Sequence, residues 1–200
     1  MGVFDAWLKA LLPASRAVDA ATTWVGKRLA WLILAAVLVS AVNATIRKLF
    51  DMSSNSWLEL QWVLFGVVFL LCSPWTLLAN EHIRIDIVNN LLPKKMRNWI
   101  DVVGHTLFLA PWCIIMIITG APFFWRSAML DEQSGNAGGL PQWPSKSLVV
   151  IGFTFLLIQA LSELIKRIAV MRGLIPDPHE RTVSALEAEV ERTVEAIEKR

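Results

Sequence analysis

Four uncharged apolar runs limit what this chain can fold into more than any other feature: Leu29–Ile46, Trp62–Ala79, the stretch inside 102–125, and the run that begins near Ser147. At about 1.5 Å per residue, a helix of roughly 18 residues matches the hydrocarbon thickness of a bilayer. Hydrocarbon offers the backbone no hydrogen-bond partner, so such a run crosses as a helix that satisfies its own N–H and C=O groups. With 55% hydrophobic residues, ten tryptophans and a mean hydropathy of +0.51, the chain does not suit a soluble surface. The expected fold is an all-α integral membrane protein with four transmembrane helices, at about 29–46, 62–79, 102–125 and 147–165. A surface amphipathic helix is expected between helices 2 and 3.

The segments between the runs complete a three-part division. Residues 1–28 mix Leu8, Leu11, Leu12, Val18 and Val25 with Lys9, Arg16, Lys27 and Arg28, which predicts an amphipathic cytoplasmic lead-in at the interface. The transmembrane domain occupies 29–168, and 173–200 forms a charged cytoplasmic tail with Val183, Leu186, Val190, Val194 and Ile197 along one side. Val42-Asn43-Ala44 resembles a signal cleavage site, but the preceding segment is long and three more spans follow, which favours a retained anchor. Pro74 can kink the second span without stopping it, and Pro111 and Pro122 predict irregularity in the third. Gly135, Gly138, Gly139, Pro141 and Pro144 make 126–146 a structured loop. In the fourth span Glu163 falls within reach of Lys166 and Arg167 on the same helical face.

The longest polar interruption is EHIRIDIVNNLLPKKMRNWID, from Glu81 to Asp101. Ile83, Ile87, Val88, Leu91 and Leu92 have helical spacing, which predicts a helix lying along the membrane and broken at Pro93. The alternation in HIRIDI leaves a strand as the alternative. Its Arg84, Lys94, Lys95 and Arg97 join four cations before the first span and Lys166, Arg167 and Arg172 after the last, giving eleven on one side. The other side has Arg47, Lys48, Arg126 and Lys146. That asymmetry predicts both termini inside, N-in/C-in, with the glycine-proline loop outside. Trp24, Trp31, Trp57, Trp62, Trp99, Trp125 and Trp143 fall near span ends, where indoles anchor at the headgroups.

Little in the sequence predicts chemistry. Net charge is only +2 with grouped cations, which does not make a nucleic-acid footprint. Cys72 and Cys113 lie in apolar runs, where a packed thiol is expected rather than a disulfide, a metal ligand or a nucleophile. No phosphate-binding glycine loop, HExxH or nucleophile–base constellation occurs. Neither a catalytic site, a cofactor nor a metal is expected, and the chain does not read as an enzyme. A membrane haem would need two of His82, His105 and His179 facing one another at one depth, whereas His82 and His179 lie outside the spans. A self-contained carrier should show ionisable groups near mid-span, and these spans have no central carboxylate. Asn43 and Gln159 read as interhelical hydrogen-bond partners.

Three passages in order carry a more specific signal: Ser56, Trp57 and Glu59 before the second span, the Glu81–Asp101 connection, and GLPQWPSKSLVVIGFTFLLIQAL entering the fourth span. Together, over about Leu29 to Ile168, they resemble the small, DctQ-like membrane subunit of tripartite ATP-independent periplasmic (TRAP) transporters. The resemblance implies a four-helix protein of the bacterial inner membrane, surrounded by membrane lipids and paired with a large membrane subunit that holds the substrate and sodium sites. It further implies a periplasmic substrate-binding protein that delivers an organic acid, with uptake driven by a sodium gradient. On that reading Trp57, Glu59, Gly139, Leu140, Pro141, Trp143, Pro144 and Lys146 are candidate partner contacts on the outer side. His82, Arg84 and Asp86 form a candidate cytoplasmic brace. Glu59 reads equally as charge complementarity at a helix N-terminus. A membrane anchor of a respiratory enzyme and a small self-assembling transporter are the alternatives.

Overall fold

The computed structural model describes residues 3–52, 54–79 and 93–176. In chain order its helices are α1 (Val3–Leu29), α2 (Trp31–Phe50), α3 (Asn55–Ala79), α4 (Lys94–Val103), a π-helical segment (Gly104–Leu109), α5 (Ala110–Met129) and α6 (Trp143–Met171). The described residues form no strand, only an isolated bridge between Gln133 and Pro141. Four stretches are long and apolar enough to cross a membrane: Phe4–Phe50, Asn55–Ala79, Met96–Met129 and Trp143–Met171. The chain is therefore an all-α protein with four membrane-length helices.

These helices outrun the uncharged runs because a helix can continue through polar residues at its ends. Arg47 and Lys48 occupy the last turn of α2, where cations complement the exposed carbonyls, and Asp51 ends it in the left-handed region at φ 51°. The loop expected at 126–146 is shorter, because α5 runs to Met129 and α6 starts at Trp143.

The prolines have local answers. Pro74 removes a backbone donor and frees the carbonyl of Leu70 one turn earlier. The Ser73 hydroxyl donates to that carbonyl at 3.0 Å, and α3 continues to Ala79. Ahead of Pro111 the chain widens into π-helix, with the Ala110 amide donating to the His105 carbonyl five residues back. A proline ring clashes with the carbonyl four residues earlier in a straight helix, and a wider turn relieves that crowding.

Helix α6 is the hub, packing against α1, α3, α4 and α5, while α2 packs mainly on α3. Gly152 of α6 lies close against α3: a Cβ there would stand 2.8 Å from Leu70 Cβ and 3.1 Å from the Leu70 carbonyl oxygen. In lipid, such backbone proximity and interhelical hydrogen bonds hold helices together, because tails are as apolar as the side chains.

Residues 3–29 are one helix that lies against α3 and α6. Leu8 and Leu12 pack with Ala169 in a small core flanked by Ile165, Ile168, Leu174 and Ile175. Further along, Ser15 and Thr22 are buried, whereas Phe4, Trp7, Leu11 and Trp24 are exposed. The inward face of α1 is thus mixed, with Leu8 and Leu12 at one end and Ser15 and Thr22 further along, while Lys9, Arg16, Lys27 and Arg28 stay exposed. The surface helix expected at 83–92, the brace residues His82, Arg84 and Asp86, and the 180–200 tail lie outside the described residues.

Candidate functional site

The loop between α5 and α6 folds back on itself and is clasped by the first turns of α3. Within it, the Ser134 amide donates to Leu140 O at 3.2 Å and the Gln142 amide to Glu132 O at 2.8 Å. From α3, Asn55 Nδ2 donates to Ala137 O at 3.0 Å and the Ser56 hydroxyl donates to Gly138 O. Glu59, one turn further, is buried at 7% exposure and takes three donors: the Ser134 hydroxyl, Asn136 Nδ2 at 2.9 Å and the Leu140 amide at 2.6 Å. A carboxylate with only neutral donors needs several of them to offset the water it gives up. Gly139 makes the fit possible, since a Cβ there would lie 2.7 Å from Glu59 Oε1 and 2.6 Å from Ser134 Oγ.

A second fastening joins the loop to the start of α6. Lys146 pairs with Glu132 and lies 4.1 Å from the centroid of the Phe123 ring. Lys146, by donating to the carboxylate, holds Glu132 below the usual glutamate range.

Two passages some 80 residues apart in sequence, Ser56–Glu59 and Gly139–Lys146, therefore meet in one structure. Their side chains divide by exposure. Glu59 and Lys146 are engaged within the chain, Gly139 and Leu140 pack into the clasp, and Pro144 is half-buried. Trp57 at 42% exposure, Trp143 at 40% and Pro141 remain on the outside. Beneath the clasp, between α3 and α6, lies a cavity of about 420 Å³ lined by Glu59, Val63, Gly66, Leu70 and Leu148 among others.

A separate polar seam joins α1 to α6. Gln159, wholly buried, accepts the Thr22 hydroxyl at 2.7 Å and donates to Asp19 at 2.9 Å and to Glu163 at 3.1 Å. Ser15 and Ser162 share a 2.7 Å hydrogen bond, and Lys166 bridges Asp19 at 2.8 Å and Glu163 at 2.6 Å. Gln159 is thus the interhelical partner its position suggested. Sequence reading missed Ser15, Asp19 and Thr22, although their spacing on one helical face was a usable signal. Arg167 pairs with Asp101 of α4 at 3.1 Å.

The seam and the clasp can hold helices and a loop in place; neither presents a nucleophile with a base. Among the described residues no group of three or more His, Cys, Asp or Glu is placed to hold a metal ion. Comparison with curated proteins gives no match. A family model described as "Tripartite ATP-independent periplasmic transporters, DctQ component" matches residues 36–170, which takes in most of α2, all of α3 to α5, all but the last residue of α6, and the clasp. That match covers well over half of the chain, is to a transporter component rather than an enzyme, and agrees with four membrane-length helices. The chain belongs to the DctQ family, the small membrane component of tripartite ATP-independent periplasmic transporters.

Proposed function

We propose that this subunit braces a transporter of the bacterial inner membrane in which a large membrane subunit moves an organic acid inward with sodium ions. A periplasmic binding protein delivers the acid. The family match over α2 to α6 carries this reading. It is supported by a bundle centred on α6, in which buried Gln159 is bonded to Thr22, Asp19 and Glu163. Such a bundle suits a fixed wall for a moving neighbour.

The charge asymmetry supports both termini in the cytoplasm and the clasp outside. On that orientation Trp57, Pro141 and Trp143 meet the partner proteins, while Glu59, Gly139, Leu140, Pro144 and Lys146 keep the loop in a presentable shape. His82, Arg84 and Asp86 brace the complex from the cytoplasmic side.

The test is gentle detergent extraction from native membranes followed by reconstitution of what co-purifies. A large integral partner should accompany the chain, and uptake of an organic acid should require that partner, the binding protein and a sodium gradient. Recovery of the chain without any large membrane protein, under conditions that preserve other complexes, would overturn the proposal.

A further inference from the structure

The cavity beneath the clasp has a definite shape. Helices α3 and α6 touch at Leu70 and Gly152, and separate toward the loop. Gly66 leaves the gap open, because the nearest atom to a Cβ built there is Leu148 Cδ1 at 4.0 Å. The result is a wedge of about 420 Å³, within the size range of ligand sites. One end is walled by Val63, Gly66, Leu70 and Leu148, and the other, next to the loop, carries Glu59, Asn136 and Gln142.

The division follows the helix axis. From Glu59 to Leu70 is about 16 Å along α3, and half of a bilayer's hydrocarbon core is about 15 Å. The wedge is one leaflet deep, polar at the headgroup end and apolar toward the midplane. The loop end also carries a charge without a counter-ion: Glu59 takes hydrogen bonds from Ser134, Asn136 and the Leu140 amide, with no cation in ion-pair range among the described residues.

We infer that this wedge is a phospholipid site. One acyl chain lies along Val63, Gly66 and Leu70, and an amine-bearing headgroup, that of phosphatidylethanolamine, sits over Glu59 and Gln142. The apolar wall excludes a polar solute, the leaflet-matched depth suits an acyl chain, and the carboxylate selects a headgroup carrying an ammonium over one that is only anionic. The bound lipid stiffens the α3–α6 junction from which the clasp is held.

The experiment is native mass spectrometry of the full chain released from nanodiscs of either phosphatidylethanolamine or phosphatidylglycerol. The wild type should retain one phosphatidylethanolamine through detergent concentrations that strip the rest, with up to about fivefold less phosphatidylglycerol, the scale of a partly exposed ion pair. Gly66→Leu, which fills the wedge, should cut retention about tenfold or more. Leu148→Trp fills the same space from α6, and thermal unfolding of each variant separates loss of lipid from loss of fold. Equal retention in both folded variants, equal retention of the two lipids, or a photocrosslink from position 66 to a protein partner in the native complex would overturn the inference.

Discussion

The Thr22 hydroxyl of α1 donates to the Gln159 side-chain oxygen of α6 at 2.7 Å, across 137 residues of sequence and with both side chains fully buried. The Gln159 amide then reaches Asp19 and Glu163, so this contact is the centre of the seam that joins the two helices. In apolar surroundings the loss of one partner leaves the other's polar atom exposed to hydrocarbon rather than water.

Thr22→Val and Gln159→Leu should each loosen α1, and the double variant should be less destabilised than their sum. Interhelical hydrogen bonds in membranes average about 0.6 kcal/mol and reach about 1.7 kcal/mol. A double-mutant cycle in a reversible detergent unfolding assay reads the coupling, and strict additivity would refute it.

Asp101 and Arg167 are both buried and pair at 3.1 Å, tying α4 to the cytoplasmic half of α6 in the proposed orientation. Breaking a buried pair from one side costs about 3–5 kcal/mol, because the remaining charge stays where water cannot reach it. Asp101→Asn should therefore lower the melting temperature markedly more than Arg172→Gln, whose guanidinium is 55% exposed at 3.6 Å from Asp5. Equal effects would show that the Asp101 contact is weaker than its geometry implies.

Glu59→Gln keeps the shape of the side chain but replaces one acceptor oxygen with a donor. The Ser134, Asn136 and Leu140 donors then compete for a single oxygen. The loop should become more susceptible to limited proteolysis at 135–139 by about tenfold or more, as local opening becomes easier, while helix content stays unchanged. Unaltered cleavage would remove Glu59 from its clasping role.

Glu132 gives the clasp an acid limit. Its folded-state pKa is depressed by Lys146, so its contribution is fully present above the unfolded-state value, about 4.3, and is lost as pH falls through the lower folded-state value. Loop protection should be flat from neutral pH to about 5 and decline below about 4. Lys146→Met should move that decline toward higher pH. An unchanged midpoint would mean that the pair contributes nothing to loop closure.

Much of the fold was legible because hydrocarbon permits few solutions. The uncharged runs around Val37, Phe69, Ile115 and Phe155 read as spanning helices, and Gln159 as an interhelical hydrogen-bond partner. The destination of the first helix was harder to read. Leu8, Leu12 and Val18 suggest a surface helix, whereas the packing side is set equally by Ser15, Asp19 and Thr22, whose partners lie far along the chain. The clasp divides in the same way: Glu59 and the Gly139–Lys146 passage stand out individually, but only tertiary geometry shows that the loop is Glu59's own partner. Pro111 predicted irregularity without specifying that the wider turn would fall at Gly104–Leu109.

The seam between α1 and α6 also fixes an order of events at the ribosome. Asp19 is made 147 residues before the Lys166 that neutralises it. At about 5–20 residues per second, that interval is roughly 7 to 30 seconds. Throughout it, the aspartate lacks the ammonium that pairs with it in the folded chain, and the first helix cannot adopt its final seat until the last span has been delivered. Closure of this seam is thus a late step of biogenesis, open to the chain only once α6 has been made.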